Sequence, residues 1–133
     1  MDDVERYDCG KDKVCRIPSL NEPRMYLSTC AMGNSIYAIC GFNKDEQGES
    51  RFLNTFERLD NPGAEEGTEE HEDLEWVTLA LAEEINLLTE RASTIAVAIN
   101  TQEIAIFGGY KGPQWYGDLY LFNTETGNLK KAV

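Results

Sequence analysis

Arg91-Ala-Ser-Thr-Ile-Ala-Val-Ala-Ile99, Asn100-Thr-Gln102, Glu103-Ile-Ala-Ile-Phe107 and Gly108-Gly109-Tyr110 together decide how this chain is read. Two short runs rich in β-branched residues flank a polar turn, the pattern of an antiparallel hairpin, and paired glycines close the second run. The same layout stands 67 residues earlier. There Arg24-Met-Tyr-Leu-Ser-Thr-Cys-Ala-Met32 passes through Gly33-Asn34 to Ser35-Ile-Tyr-Ala-Ile-Cys40 and then Gly41-Phe42. From Arg24 to Cys40 is 16 residues and from Arg91 to Gly108 is 17. Self-similarity at such a spacing is the signature of a repeat architecture.

A second repeated element extends the unit. Asp2-Asp-Val-Glu-Arg-Tyr-Asp8 aligns without gaps on Asn54-Thr-Phe-Glu-Arg-Leu-Asp60, and Gly117-Asp-Leu-Tyr-Leu-Phe-Asn123 keeps the same apolar-polar order. Leu119 to Phe122 and Leu129 to Val133 flank Asn123 to Asn128 as a further hairpin signal. The unit is therefore four antiparallel strands, and the fold class is all-β. Leu79 to Leu88 is the one stretch arguable as helix; with no N-cap before it and no glycine after it, it reads as strand at its start and loop at its end. The excess length of one unit falls in residues 61–75, which carry seven acidic residues between the third and fourth strands. Composition predicts a solvated, self-repelling, extended loop there.

Gly108-Gly109-Tyr110, its weaker echo Cys40-Gly41-Phe42, the pairs Tyr7-Asp8, Leu59-Asp60 and Phe122-Asn123, and Trp76 after the acidic insertion resemble the kelch repeat family of β-propellers. The first copy has Cys15 near the tryptophan position and the third has Leu129. The resemblance implies four-stranded blades crowded at an axis, where glycine permits close backbone approach. Residues 1–20 would supply a half blade (third and fourth strands), 21–86 a complete blade carrying the insertion 61–75, and 87–133 another. Two and a half blades do not close a ring, which takes about four to eight. The expectation is an open propeller segment whose remaining blades come from the same longer protein or from another chain.

Charge and composition narrow the function. The 133 residues carry a net charge of −12. That excludes nucleic acid, which needs a basic footprint, and disfavours an anionic membrane surface. No apolar run approaches the ~20 residues of a spanning helix, and the acidic start Met1-Asp2-Asp3-Val4-Glu5-Arg6 has no signal-peptide character. Cys9, Cys15, Cys30 and Cys40 form no close pair of the kind zinc sites use, so reduced thiols and a cytoplasmic location are expected. A single histidine, His71, is too few for copper and sits on a loop ill-suited to a catalytic triad. Asn43 to Glu49 resembles the start of a calcium loop, but Arg51 and Asn54 stand where later ligands belong, so an ordinary polar loop is expected. No catalytic residue, metal or cofactor is assigned.

The sharpest functional stretch is Tyr110-Lys-Gly-Pro-Gln-Trp-Tyr116. Exposed aromatic residues on a loop suit a binding hot spot, with packing of Trp115 or Tyr116 back between blades as the alternative. Loops of kelch propellers on one face often bind partners, and the resemblance carries that role onto Tyr110, Trp115, Tyr116 and Arg51. Gly41, Gly108, Gly109 and Trp76 are structural motif positions, as are Arg24 and Arg91, which are expected to tie neighbouring blades through hydrogen bonds to carbonyls. The expected function is a non-enzymatic scaffold for a protein or peptide partner. A fragment of a propeller enzyme and a structural subunit of a larger assembly stay open as alternatives.

Overall fold

The computed structural model describes residues 2–80 and 88–133. Strands dominate them, and a single turn of helix interrupts the strands. The hairpin of β1 (Val4–Asp8) and β2 (Lys13–Ile17) comes first. A four-stranded antiparallel sheet follows, built from β3 (Ser28–Met32), β4 (Ser35–Ile39), β7 (Phe56–Asp60) and β8 (Trp76–Thr78). A second has the same chain-order connectivity: β9 (Ile95–Ala98), β10 (Glu103–Phe107), β13 (Leu119–Asn123) and β14 (Leu129–Lys131). Between the second and third strands of each sheet sits a small hairpin, β5 (Phe42–Lys44) with β6 (Ser50–Phe52), and β11 (Tyr110–Lys111) with β12 (Gln114–Trp115). Neither four-stranded sheet closes on itself.

Local chemistry explains the strand ends. Asp8, Asp45, Asn100 and Asn123 each turn a side-chain oxygen onto two backbone N–H groups just ahead in the chain. Such side chains mimic a backbone turn and close the hairpins. In Asn43 to Glu49, the Asp45 carboxylate thus serves the turn of a hairpin. The strands expected to start at Arg24 and Arg91 start instead at Ser28 and Ile95. Isolated bridges, Met25↔Phe42 and Ala92↔Tyr110, come first. Tyr26 and Ser93 then take left-handed φ angles of 50° and 55°, which break the extended run.

The internal repeat is visible as register. Tyr7↔Val14, Leu59↔Trp76 and Phe122↔Leu129 are corresponding cross-strand pairs. Val14, not Cys15, therefore stands where the second copy has Trp76. Cys15 pairs with Arg6 and lies one step along, on the other face of the hairpin, where it is buried.

Glycine holds each unit together at one crossing. Gly41 (φ 104°) and Gly109 (φ 106°) lie against the carbonyls of Met25 and Ala92; a Cβ at either would sit 2.8 Å from that oxygen. Positive φ and backbone contact together leave no room for another residue.

Two apolar layers result. Cys30, Tyr37, Ile39 and Phe56 of the first sheet pack against Ile104, Ile106, Tyr120 and Phe122 of the second. Tyr37 and Phe56 both meet Phe122 edge-on. On its other face, the first sheet buries Ala38, Leu59 and Trp76 beneath Val4 and Ile17 of the β1–β2 hairpin. The outer face of the second sheet leaves Ile95, Val97 and Phe107 exposed.

The acidic insertion departs from expectation. Residues 61–75 do join the third and fourth strands, but they dock. Thr68 caps α1 (Glu69–Glu72), and Ala64 and Leu74 are buried with Trp76. Arg6 donates to the carbonyls of Pro62 and Ala64, each at 2.7 Å. Lys11 and Lys13 of the first hairpin pair with Glu65 and Glu66. An apolar pair at its two ends and a basic hairpin beside it overcome the self-repulsion that composition alone suggests. His71 lies in α1. At the ambiguous segment Leu79 to Leu88, the strand ends earlier, at Thr78, and Leu88 is buried; residues 81–87 lie outside the described residues. Among the described residues no helix is long and apolar enough to cross a membrane.

Alanine at Gly41 or Gly109 should destabilise the protein by at least about 1–3 kcal/mol from the strained backbone alone. Alanine at Gly63, which lies in open space with ordinary φ, should be near neutral. Urea-denaturation midpoints of the three variants check this.

Candidate functional site

The site is built on two buried arginines. Arg24 donates through Nη1 to the carbonyls of Cys40 (2.8 Å) and Thr55 (2.9 Å). Its Nη2 meets Thr55 Oγ1 and, at 2.9 Å, Glu57 Oε2. Both side chains of the Arg24–Glu57 pair are wholly buried. Glu57 also accepts from the backbone N–H groups of Asn21 and Glu22. Arg91 occupies the matching place in the second unit. It reaches the Gly108 carbonyl at 3.2 Å, the Asp118 carboxylate at 2.5 Å, and Thr89 through Nε and Nη2. Partial burial pushes the Asp118 carboxyl up, but the Arg91 hydrogen bond and charge overcome this and hold it below its ordinary value.

Each guanidinium thus braces strands and turns of its own sheet, rather than bridging neighbouring sheets as expected. Each guanidinium is consumed by the carbonyl of its own glycine turn and by an acceptor at the third strand's entry, the Thr55 carbonyl for Arg24 and the Asp118 carboxylate for Arg91. The link between units is made by backbone. Gly41 N–H donates to the Arg91 carbonyl, Arg91 N–H to the Leu53 carbonyl, and Ser93 N–H to the Tyr26 carbonyl. Ser28 Oγ adds a bond to the Thr94 carbonyl at 2.5 Å. Trp76 is buried, its indole N–H donating to the Pro18 carbonyl at 2.9 Å.

These braces present the two small hairpins side by side, and their aromatic residues form a continuous row. Tyr26 stacks on Phe42 at 5.6 Å, Phe42 lies 5.4 Å from Phe52, Phe52 meets Tyr110 at 5.7 Å, and Tyr110 meets Trp115 at 5.2 Å. Phe42↔Phe52 and Tyr110↔Trp115 are the corresponding first pairs of the two hairpins, which is why four of the five rings align. The ends of the row are the most open, Tyr26 at 64% and Trp115 at 74% exposure.

The aromatic stretch singled out in the sequence divides. Trp115 turns to solvent and Tyr110 lies half-buried within the row. Tyr116 turns inward, its ring 3.9 Å below the Arg91 guanidinium carbon, a cation–π contact. Arg51 is exposed beside the row and pairs with Glu22 at 3.3 Å. On the other hairpin Lys111 pairs with Glu90, which precedes Arg91, and that partner raises the lysine's pKa. Between these ion pairs runs a polar groove of about 410 Å³ lined by Asp45, Glu49, Arg51, Phe52, Glu90 and Lys111.

Tyr26 and Phe52 were not legible as site residues. Phe52 could have been found by pairing it with Phe42 as Trp115 pairs with Tyr110. Tyr26 carried no signal, because its counterpart is Ser93. All four cysteines are free, and burial pushes the Cys40 thiol up to about 12. Comparison with protein-family models finds none that matches this chain, and no curated protein matches it.

Two outcomes follow from the arginine braces. Arg24→Met or Glu57→Leu, each leaving one buried charge uncompensated, should cost about 3–5 kcal/mol. The double replacement should cost less than the two singles together, as thermodynamic cycles from urea unfolding will read. For Arg91–Asp118, the folded carboxyl titrates below the ordinary 3.8. Its stabilisation is therefore complete above that pH and is lost as pH falls through the lowered value. Unfolding midpoints measured from neutral pH down to about 2 should show wild type losing its advantage over Asp118→Asn only in that acid range.

Proposed function

We propose that this chain is a segment of a kelch-type β-propeller that acts as a non-enzymatic scaffold, binding a protein or peptide across the aromatic row of its paired hairpins. The blade reading is supported by two four-stranded sheets of like connectivity, each with a left-handed glycine on a carbonyl and a buried arginine behind it. The binding reading is carried by one observation: five rings in sequence, open at both ends, four of them held on hairpins braced from beneath. Variable loops on a rigid frame are where proteins place recognition. Trp and Tyr give large contact area at small entropic cost and anchor most interfaces. Arg51 and Lys111, already paired to Glu22 and Glu90, form a charged rim able to exchange partners. In this reading Tyr110 and Trp115 contact the partner, Arg51 orients it, and Tyr116 supports them through Arg91.

A phage-displayed peptide library selected on the immobilised 133-residue chain tests this. Selected peptides should lose about tenfold or more in affinity on Trp115→Ala or Tyr26→Ala, and be unaffected by Thr101→Ala on the far turn of the β9–β10 hairpin. Equal binding to all three variants would remove the hairpin face from consideration.

A further inference from the structure

The two small hairpins flank a polar groove, and both of its walls belong to this chain. The β5–β6 hairpin contributes Asp45, Glu49, Arg51 and Phe52, and the second unit contributes Glu90 and Lys111. At about 410 Å³ the groove has room for a long side chain.

Its charges are unevenly satisfied. Both cations have partners: Arg51 pairs with Glu22 and Lys111 with Glu90. Asp45 turns one oxygen, Oδ1, onto the backbone N–H groups of Gln47 and Glu49. Its second oxygen has no hydrogen bond among the described residues. Glu49 lines the same groove, and its carboxylate has neither a hydrogen bond nor an ion pair among the described residues. Lys44 and Glu46, on the same hairpin, do not line it. The groove therefore carries uncompensated negative charge, in a chain whose net charge is −12. A cation is both steered towards such a place and held in it.

An aromatic edge borders these carboxylates. Phe52 lines the groove and meets Tyr110 across the hairpins at 5.7 Å, both rings being half-buried. The molecule already sets a cation between a ring and a carboxylate once. Arg91 lies 3.9 Å from the centre of the Tyr116 ring, while the Asp118 carboxylate and the Gly108 carbonyl accept its N–H groups. A guanidinium suits that double contact because it is planar, stacks on a ring face and presents forked donors to a carboxylate. A lysine ammonium is a compact, strongly hydrated point charge and suits it less.

We propose that this groove receives an arginine side chain from an extended segment of a partner protein, its guanidinium donating to Glu49 and Asp45 and lying against Phe52. The assignment rests on the reading of the hairpin face as a protein-binding surface, and it names a residue that the partner carries. The segment's neighbouring residues lie along the aromatic row, where Tyr110 and Trp115 give apolar contact area. Arg51 and Lys111, held by Glu22 and Glu90, flank the groove and disfavour a second cation beside the first.

The probe is N-acetyl-arginine amide, titrated into the intact chain and followed by backbone amide chemical shifts. Saturable shifts in the millimolar range are expected at Glu49, Phe52 and Lys111. N-acetyl-citrulline amide, which keeps the shape without the charge, should bind about tenfold more weakly or worse. Glu49→Gln, at an exposed position, should weaken arginine binding by about tenfold and leave the unfolding midpoint unchanged. Glu75→Gln, in the acidic insertion, should change neither. No saturable shift, citrulline bound as tightly as arginine, shifts confined to residues 61–75, or no effect of Glu49→Gln would each overturn the proposal. Peptides selected on the chain separate it from the wider reading. Peptides that need Trp115 but carry no arginine and ignore Glu49→Gln overturn the groove assignment and leave the hairpin face as a binding surface. Arginine binding that needs Glu49, with no selected peptide sensitive to Trp115→Ala or Tyr26→Ala, supports the groove and removes the aromatic row.

Discussion

The carbonyl oxygens of Met25 and Ala92 lie where a side chain would begin at Gly41 and Gly109, and the architecture follows from that contact. With no Cβ at these points, the second strand of each sheet ends against the segment that leads into its first strand. The isolated bridges to Phe42 and Tyr110 form there. The arginine that precedes each bridge is then carried behind the turn, within reach of the turn's own carbonyl. A buried guanidinium is costly unless most of the donors it turns inward find acceptors, and the crossing answers both terminal nitrogens of each arginine, leaving Arg24 Nε unpaired.

The two units use the frame differently, and the difference shapes the binding surface. Arg24 is neutralised inside the first sheet by Glu57, and the position preceding the third strand is filled by buried Leu53. In the second unit Tyr120 stands where the first has Glu57, the counter-charge moves to Asp118, and Tyr116 covers the guanidinium. Matching backbone bonds, Leu53 N–H to Gly41 and Tyr116 N–H to Gly109, make Leu53 and Tyr116 counterparts. Tyr116 is therefore drawn inward by the same geometry that pushes Trp115 out. Backbone bonds between the units, at Arg91 and Ser93, bring the hairpins close enough for Phe52 to meet Tyr110. The row across both hairpins thus depends on the packing of one sheet against the other.

Coverage of apolar surface is uneven. The first sheet is packed on both faces, by the second sheet and by the first hairpin with its docked insertion. The insertion contributes Ala64 and Leu74 to that layer, while its carboxylates face the basic side of the hairpin. Over β3 and β4 that layer leaves a cavity of about 360 Å³ between Val4 and Ile17 of the hairpin and Leu27, Ile36 and Ala38. The outer face of the second sheet has no such cover and presents Ile95, Val97 and Phe107.

Four strands per unit and their repetition were legible in the chain, because alternation of apolar residues, Asx turns and glycine at positive φ are local properties that each segment carries alone; the small hairpins β5–β6 and β11–β12, read as loops, and the late starts at Ser28 and Ile95 were not. The hairpins around Gly33-Asn34 and Asn100-Thr101-Gln102 and the place of the acidic insertion were readable for that reason. Tertiary structure alone decided which partner each group meets. The insertion's order depends on Arg6, Lys11 and Lys13, more than fifty residues away in the chain. The arginines' confinement to their own sheets depends on carbonyls whose direction no pattern of residue types records. The aromatic row needs Tyr26, a residue its own repeat copy replaces with serine. Contacts between distant segments are set by how whole sheets stack, and stacking is a property of summed surfaces rather than of any stretch of sequence.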